Sequence, residues 1–165
     1  NEYHGATEAC EEWNRDLMHF YRIIADQRSR PGNAHCAFTL EQPVGKARHT
    51  RQIQTIEDPV HHGGLGAVRC TLDMCRHGGD CCKPTDIWVG GLPSLVDALT
   101  HTAPDGVRVP RWICSAETPC KYFPQHPSVR GRTKSTTAFP NELCAFIMAH
   151  VEADLCSHRT APQES

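Results

Sequence analysis

Residues 65–75 read LGAVRCTLDMC. Val68, Cys70, Leu72 and Met74 stand on one side of this run, and Arg69, Thr71 and Asp73 on the other. Such alternation is the pattern of a strand with one face on a core and one toward water. The pairs Gly63-Gly64 and Gly78-Gly79 punctuate its two ends. A half-buried strand belongs to an antiparallel sheet, so the rest of the chain is read for its partners.

Ala34 to Leu40 alternates with Cys36, Phe38 and Leu40 on one side and reads as a strand. Gln52 to Ile56 (QIQTI) reads as a short second strand, and Val107 to Ser115, with Trp112 and Cys114, as another. Asp86 to Val89 is a short strand or connector. Thr7 to Arg28 is an amphipathic helix, with Cys10, Trp13, Leu17, Phe20, Tyr21 and Ile24 recurring on one face. Thr7 is placed to cap it, and Pro31-Gly32 stops it. Pro93 to His101 is a short helix with proline near its first turn, and Asn141 to Cys156 is the last helix. Thr118 to Ala138, with three prolines and Gly131, is a long loop; residues 157–165 are a polar tail. The expected architecture is one α+β domain over residues 1–165. It is a disulfide-stapled two-layer fold, an antiparallel β-sheet with helices packed on one face.

The composition narrows the function classes. The 165 residues suffice for one core. Lys plus Arg is 17 against 19 Asp plus Glu, a net charge of −2, which argues against a general nucleic-acid binder. The longest apolar run, Leu143 to Val151, falls well short of a membrane span. The chain starts at Asn1 and has no apolar leader, which fits a signal peptide already removed; no Asn-x-Ser/Thr sequon is present.

Ten cysteines dominate the reading: Cys10, Cys36, Cys70, Cys75, Cys81, Cys82, Cys114, Cys120, Cys144 and Cys156. An even number spread from end to end predicts a secreted chain with up to five disulfides. About 945 connectivities are open, so the sequence chooses none. Zinc is the rival. Structural zinc sites use Cys-x2–4-Cys pairs. Cys70-x4-Cys75 and Cys114-x5-Cys120 are read as too wide for this, and no Cys-x2-Cys occurs. The spacing therefore points to disulfides, with no metal and no cofactor.

No catalytic motif stands out. There is no His-Glu-x-x-His and no Gly-x-Ser-x-Gly, so no catalytic residue is assigned. His61-His62 reads as a solvated turn. The strongest enzyme alternative is a small secreted ribonuclease-like enzyme or toxin. That chemistry needs one histidine as base, one as acid and a cation for phosphate; His35, His49, His101, His126, Arg69 and Arg111 supply the parts. The loop from Lys121 to Lys134 holds Lys121, Tyr122, Arg130, Arg132 and Lys134 and no acid. With His61 and His62, these are the candidate partner contacts. Trp13, Trp88 and Trp112 are read as core.

The N-terminal helix carries Trp13-x3-Leu17-x2-Phe20-Tyr21-Arg22, alternating strands bear Cys36 and Cys70, and a cysteine-bearing helix lies near the C-terminus. This combination resembles the cysteine-rich effectors secreted by fungal pathogens of plants, and among them the avirulence effectors of the LARS structural family. The resemblance covers roughly Glu8 to Cys156. It implies an antiparallel sheet packed on helices and held by disulfides. It also implies virulence or avirulence through contact with host plant proteins such as an immune receptor, without catalysis. The place of action it implies is the plant apoplast, with host-cell entry open.

Overall fold

A computed structural model describes residues 8–32, 36–44, 46–126 and 139–160 of the chain. A three-stranded antiparallel sheet, β1 (Phe38–Pro43), β2 (Val68–Asp73) and β3 (Pro84–Gly90), runs in the order β1-β3-β2. Four α-helices surround it: α1 (Glu8–Ser29), α2 (Arg51–Glu57), α3 (Pro93–Leu99) and α4 (Asn141–Thr160). A small hairpin, β4 (Thr100–Thr102) with β5 (Arg108–Pro110), follows α3. The mixed α+β class with an antiparallel sheet is as expected.

The layering differs from expectation, because helices cover both faces. In β3, Ile87 and Val89 join Cys70 and Leu72 of β2 under α3 and Leu143 of α4. Trp88, between them, points the other way and packs with Leu17 and Ile24 of α1 and Ile53 and Ile56 of α2. Alternate residues of a strand face opposite sides, so β3 is the middle of three layers. A strand buried on both sides need not alternate, which is why Asp86 to Val89 looks like a mere connector.

Segment 52–56 is also corrected: it is helical. Ile53 and Ile56 are both fully buried and stand three residues apart, the spacing of one helix face. The Thr50 hydroxyl accepts from the Ile53 N–H and caps the helix. The strand expected over Val107 to Ser115 shrinks to β5. Beyond Pro110 the backbone is engaged elsewhere: the Trp112 carbonyl accepts from the Asp73 N–H at 2.9 Å, and the Cys114 N–H donates to the Asp73 carboxylate at 2.8 Å.

One charge is built into the sheet. Asp86 of β3 is fully buried. Arg48 donates to both its oxygens at 2.7–3.0 Å, and the Thr71 hydroxyl adds a bond at 2.7 Å. A buried carboxylate survives when it is paired and hydrogen-bonded in this way.

Among the described residues no two cysteine sulfurs stand at bonding distance. Cys36, Cys70, Cys75, Cys82, Cys114, Cys120 and Cys144 are thiols. Cys70 serves as a small apolar residue of the core, 1% exposed, and Cys144 lies on the solvent side of α4. Cys81 is buried and Cys156 exposed, while the side chain of Cys10 lies outside the described residues.

Candidate metal centre

After Asp73, strand β2 tightens into a 3-10 turn, Met74–His77, that turns Cys75 inward beside the chain leaving β5. The thiols of Cys75, Cys114 and Cys120 and a ring nitrogen of His126 converge there, all within 4.8 Å of one another. His126 Nε2 is 3.0 Å from Cys120 Sγ and 3.4 Å from Cys114 Sγ. Around a tetrahedral zinc with metal–sulfur bonds of about 2.3 Å, donors stand about 3.5–3.8 Å apart. The two sulfur–nitrogen distances are shorter than this and the donor set as a whole extends to within 4.8 Å, so seating an ion would move His126 slightly away from the two sulfurs and draw the widest pairs together.

Three devices position these donors. The Asp73 carboxylate, 5% exposed, holds the Cys114 backbone as described above. Arg76, one residue after Cys75, donates to the Pro119 carbonyl at 2.5 Å and so fixes the approach to Cys120. The Tyr122 N–H donates to Cys120 Sγ at 3.3 Å. Backbone N–H groups aimed at sulfur favour the thiolate. The five residues between Cys114 and Cys120 fold back on themselves: Thr118 Oγ1 donates to the Ile113 carbonyl at 2.6 Å, and the Thr118 N–H donates to Ser115 Oγ at 3.2 Å. That turn brings two cysteines together across a gap wider than an ordinary zinc knuckle.

The thiols influence one another. Burial drives Cys75 far above the ordinary thiol range, and its hydrogen bond to Cys120 adds to the shift. Burial also opposes ionisation of Cys120, but the Tyr122 N–H, Cys75, His126 and Cys114 outweigh it and bring that thiol down to about 7. Next to the cluster, His77 packs its ring on Trp112 at 4.7 Å and on Phe146 of α4 at 5.2 Å. Burial, reinforced by Arg76 and partly offset by Glu142, lowers its pKa. This stack joins the thiol corner to the last helix.

No family model matches the chain, and no curated protein or solved structure is significantly similar to it.

The donor set is chemically specific. Three cysteine sulfurs and one imidazole nitrogen are a donor set that suits zinc, and four protein ligands would leave no coordination position for a substrate. The sequence reading assigns no metal; the structure brings together three cysteines and one histidine that could hold one. The sequence reading discards Cys114-x5-Cys120 for its width and places His126 among ribonuclease parts. The signal that finds the site is the repeated interval Cys114-x5-Cys120-x5-His126, with Cys75 brought in by the sheet.

The other candidates lie apart from this cluster. His61 and His62 are exposed on a 3-10 turn, Val60–His62, with their rings in edge contact at 4.2 Å. Lys121 is exposed, its ammonium 4.9 Å from the centroid of the Tyr122 ring. Arg130, Arg132, Lys134 and His35 lie outside the described residues. Trp88 is core; Trp13 and Trp112 are partly buried against the two apolar clusters.

Proposed function

We propose that this chain is a zinc-stapled module that works by protein contact, with the metal as its structural clasp. One observation carries the reading: four metal-ligating atoms from two segments far apart in the chain converge within 4.8 Å. A closed set of three thiolates and one imidazole is the structural kind of zinc site, whose binding energy is folding energy. The metal would lock the 112–126 segment against the end of β2 and hold the exposed face with Lys121 and Tyr122 in one shape. That face is where a partner would bind. If the effector resemblance holds, the partner is a host plant protein and the chain acts outside or inside the host cell after secretion.

A second reading has its own observation. Cys120 Sγ and His126 Nε2 lie 3.0 Å apart, the contact of a cysteine nucleophile with its base. The two readings separate cleanly. Protein purified with reducing agent and without chelator should contain about one zinc per chain by elemental analysis, with Cys75→Ser, Cys120→Ser or His126→Ala reducing that content. Metal-free protein whose Cys120 is trapped as a covalent adduct by an acyl or peptide electrophile, with zinc never retained, would replace the clasp by a nucleophile.

A further inference from the structure

The arginines of the described residues fall into two groups. Most are tied down. Arg28, Arg76 and Arg111 donate to backbone carbonyls, and Arg30, Arg48, Arg69 and Arg108 each pair with a carboxylate. Arg15, Arg22 and Arg51 are exposed and have neither kind of partner among the described residues.

The unpartnered ones gather where α1 meets α2. Arg15 and Arg22 are two helical turns apart and so share one face of α1, with Met18 between them. Arg51 opens α2, and Gln52 follows it. The two helices border an open groove of about 440 Å³ lined by Asn14, Arg15, Met18, Arg22 and Gln52. No acidic side chain lines it. Asp26, one turn beyond Arg22, is taken by Arg30 at 2.5 Å, and Glu11, one turn before Arg15, makes no ion pair with it. The Asn14 carboxamide is untied as well, its Oδ1 buried with no hydrogen-bond partner. Two uncompensated guanidiniums and two carboxamides around a thioether make a receptor for an anion.

The chemistry narrows the anion. A carboxylate has one charge and two oxygens, which a single guanidinium fork satisfies. Two forks call for more oxygens and more charge, and a phosphate monoester carries about −1.5 to −2 at neutral pH. The arginines leave Met18 as an apolar surface between them, which suits an organic group on the phosphate. We propose that this groove binds a small phosphate monoester. Arg15 and Arg22 grip the phosphate from two sides, the amides of Asn14 and Gln52 donate to it, and the organic group lies on Met18. The helices that form the site pack on the Trp88 side of the sheet, away from α3 and α4, and it owes nothing to the metal reading.

Calorimetric titration of the whole chain in phosphate-free buffer of low ionic strength tests this, with phenyl phosphate, inorganic phosphate and benzoate as probes. Phenyl phosphate should bind once per chain and about tenfold or more tighter than either other probe. Arg15→Gln and Arg22→Gln should each weaken it about tenfold or more, since each removes a charge-assisted pair. Met18→Ser should cut the advantage of phenyl phosphate over inorganic phosphate. Arg30→Gln, which removes a guanidinium already paired, should bind as wild type does. Circular dichroism checks that each variant is folded, and the exposed arginines can be exchanged without touching the core. The site is overturned if wild type binds no phenyl phosphate, if R15Q and R22Q bind it unchanged, or if R30Q loses as much as they do. Inorganic phosphate binding as tightly as phenyl phosphate would overturn the ester, and benzoate doing so would overturn the phosphate. Vesicles containing phosphatidylinositol phosphate, bound through Arg15 and Arg22 while phenyl phosphate is not, would put a membrane surface in its place.

Discussion

Cys70 and Cys75 are five residues apart in one continuous stretch and live in opposite chemistries. Cys70 sits in mid-strand under α3 and α4, with Leu72 and Ile87 for company. Burial, slightly offset by Arg108, pushes its thiol up to about 11. It packs as a hydrocarbon would. Cys75, just past the strand's end, meets two other thiols and an imidazole. One region of the molecule is held by apolar area removed from water on both faces of β3; the other is a corner where three thiols and an imidazole face one another. A cysteine's role is set by its neighbours, and the number of cysteines says little about it.

The separation can be attacked from the apolar side first. Trp88→Ala deletes the largest fully buried side chain among the described residues and its bond to Glu57 at 2.8 Å. It should cost about 3–5 kcal/mol in chemical denaturation. If the two regions are distinct, the zinc content of the folded variant is unchanged. Zinc lost together with the stability would merge them.

The two cysteines themselves give the next contrast. Cys70→Ser buries a hydroxyl among apolar groups and should destabilise by about 1–3 kcal/mol while leaving metal content intact. Cys75→Ser should do the reverse, abolishing metal retention while changing the stability of chelator-treated protein little. Equal effects of the two on zinc content would break the distinction.

Asp73 lies at the boundary. Asp73→Ala frees the Cys114 backbone and should weaken metal binding by about 10–100-fold, measured by competition with a chromophoric chelator. Asp73→Asn keeps an acceptor and should lose less. An unchanged affinity in Asp73→Ala would mean the corner is organised by the metal alone.

The smallest effect concerns pH. With its thiol near 7, below the ordinary 9.0, Cys120 of metal-free protein is ionised above neutrality and protonated below it. Its alkylation by iodoacetamide should rise through a midpoint of about 7, ahead of Cys82, which burial and then Asp73 hold at about 11. A proton on Cys120 competes with the metal, so zinc affinity should fall as pH drops through that midpoint. Zinc should suppress the alkylation. Labelling of Cys120 that ignores zinc would argue for the nucleophile.

Much of the scaffold is legible in the sequence. The periodicity of Leu17, Phe20, Tyr21 and Ile24 gives α1, and the alternation from Val68 to Met74 gives β2, because each has one wet face. The reading fails where that condition fails. The β3 strand is dry on both sides, so its pattern carries no face. In α2 the run is too short for its period to be told from alternation until Ile53 and Ile56 are seen to share a face. The candidate metal donors are hard to read for another reason, the repeated interval Cys114-x5-Cys120-x5-His126 being their one trace in the sequence. Cys75 reaches Cys114 only through the sheet, and the gap to Cys120 closes only because Thr118 bonds back to Ser115 and Ile113. Neither is a property of spacing.

The distance along the chain from Cys75 to Cys114 has a kinetic meaning. The β2–β3 turn is local and cheap to close, whereas joining residue 75 to residue 114 encloses a loop that includes β3, α3 and the β4–β5 hairpin. A metal ion arriving early finds at most one end of the future site. Bound as proposed, an ion would therefore complete its site last, on a sheet already assembled. Metal supply should govern the final step of maturation and leave the rate of the first collapse unchanged.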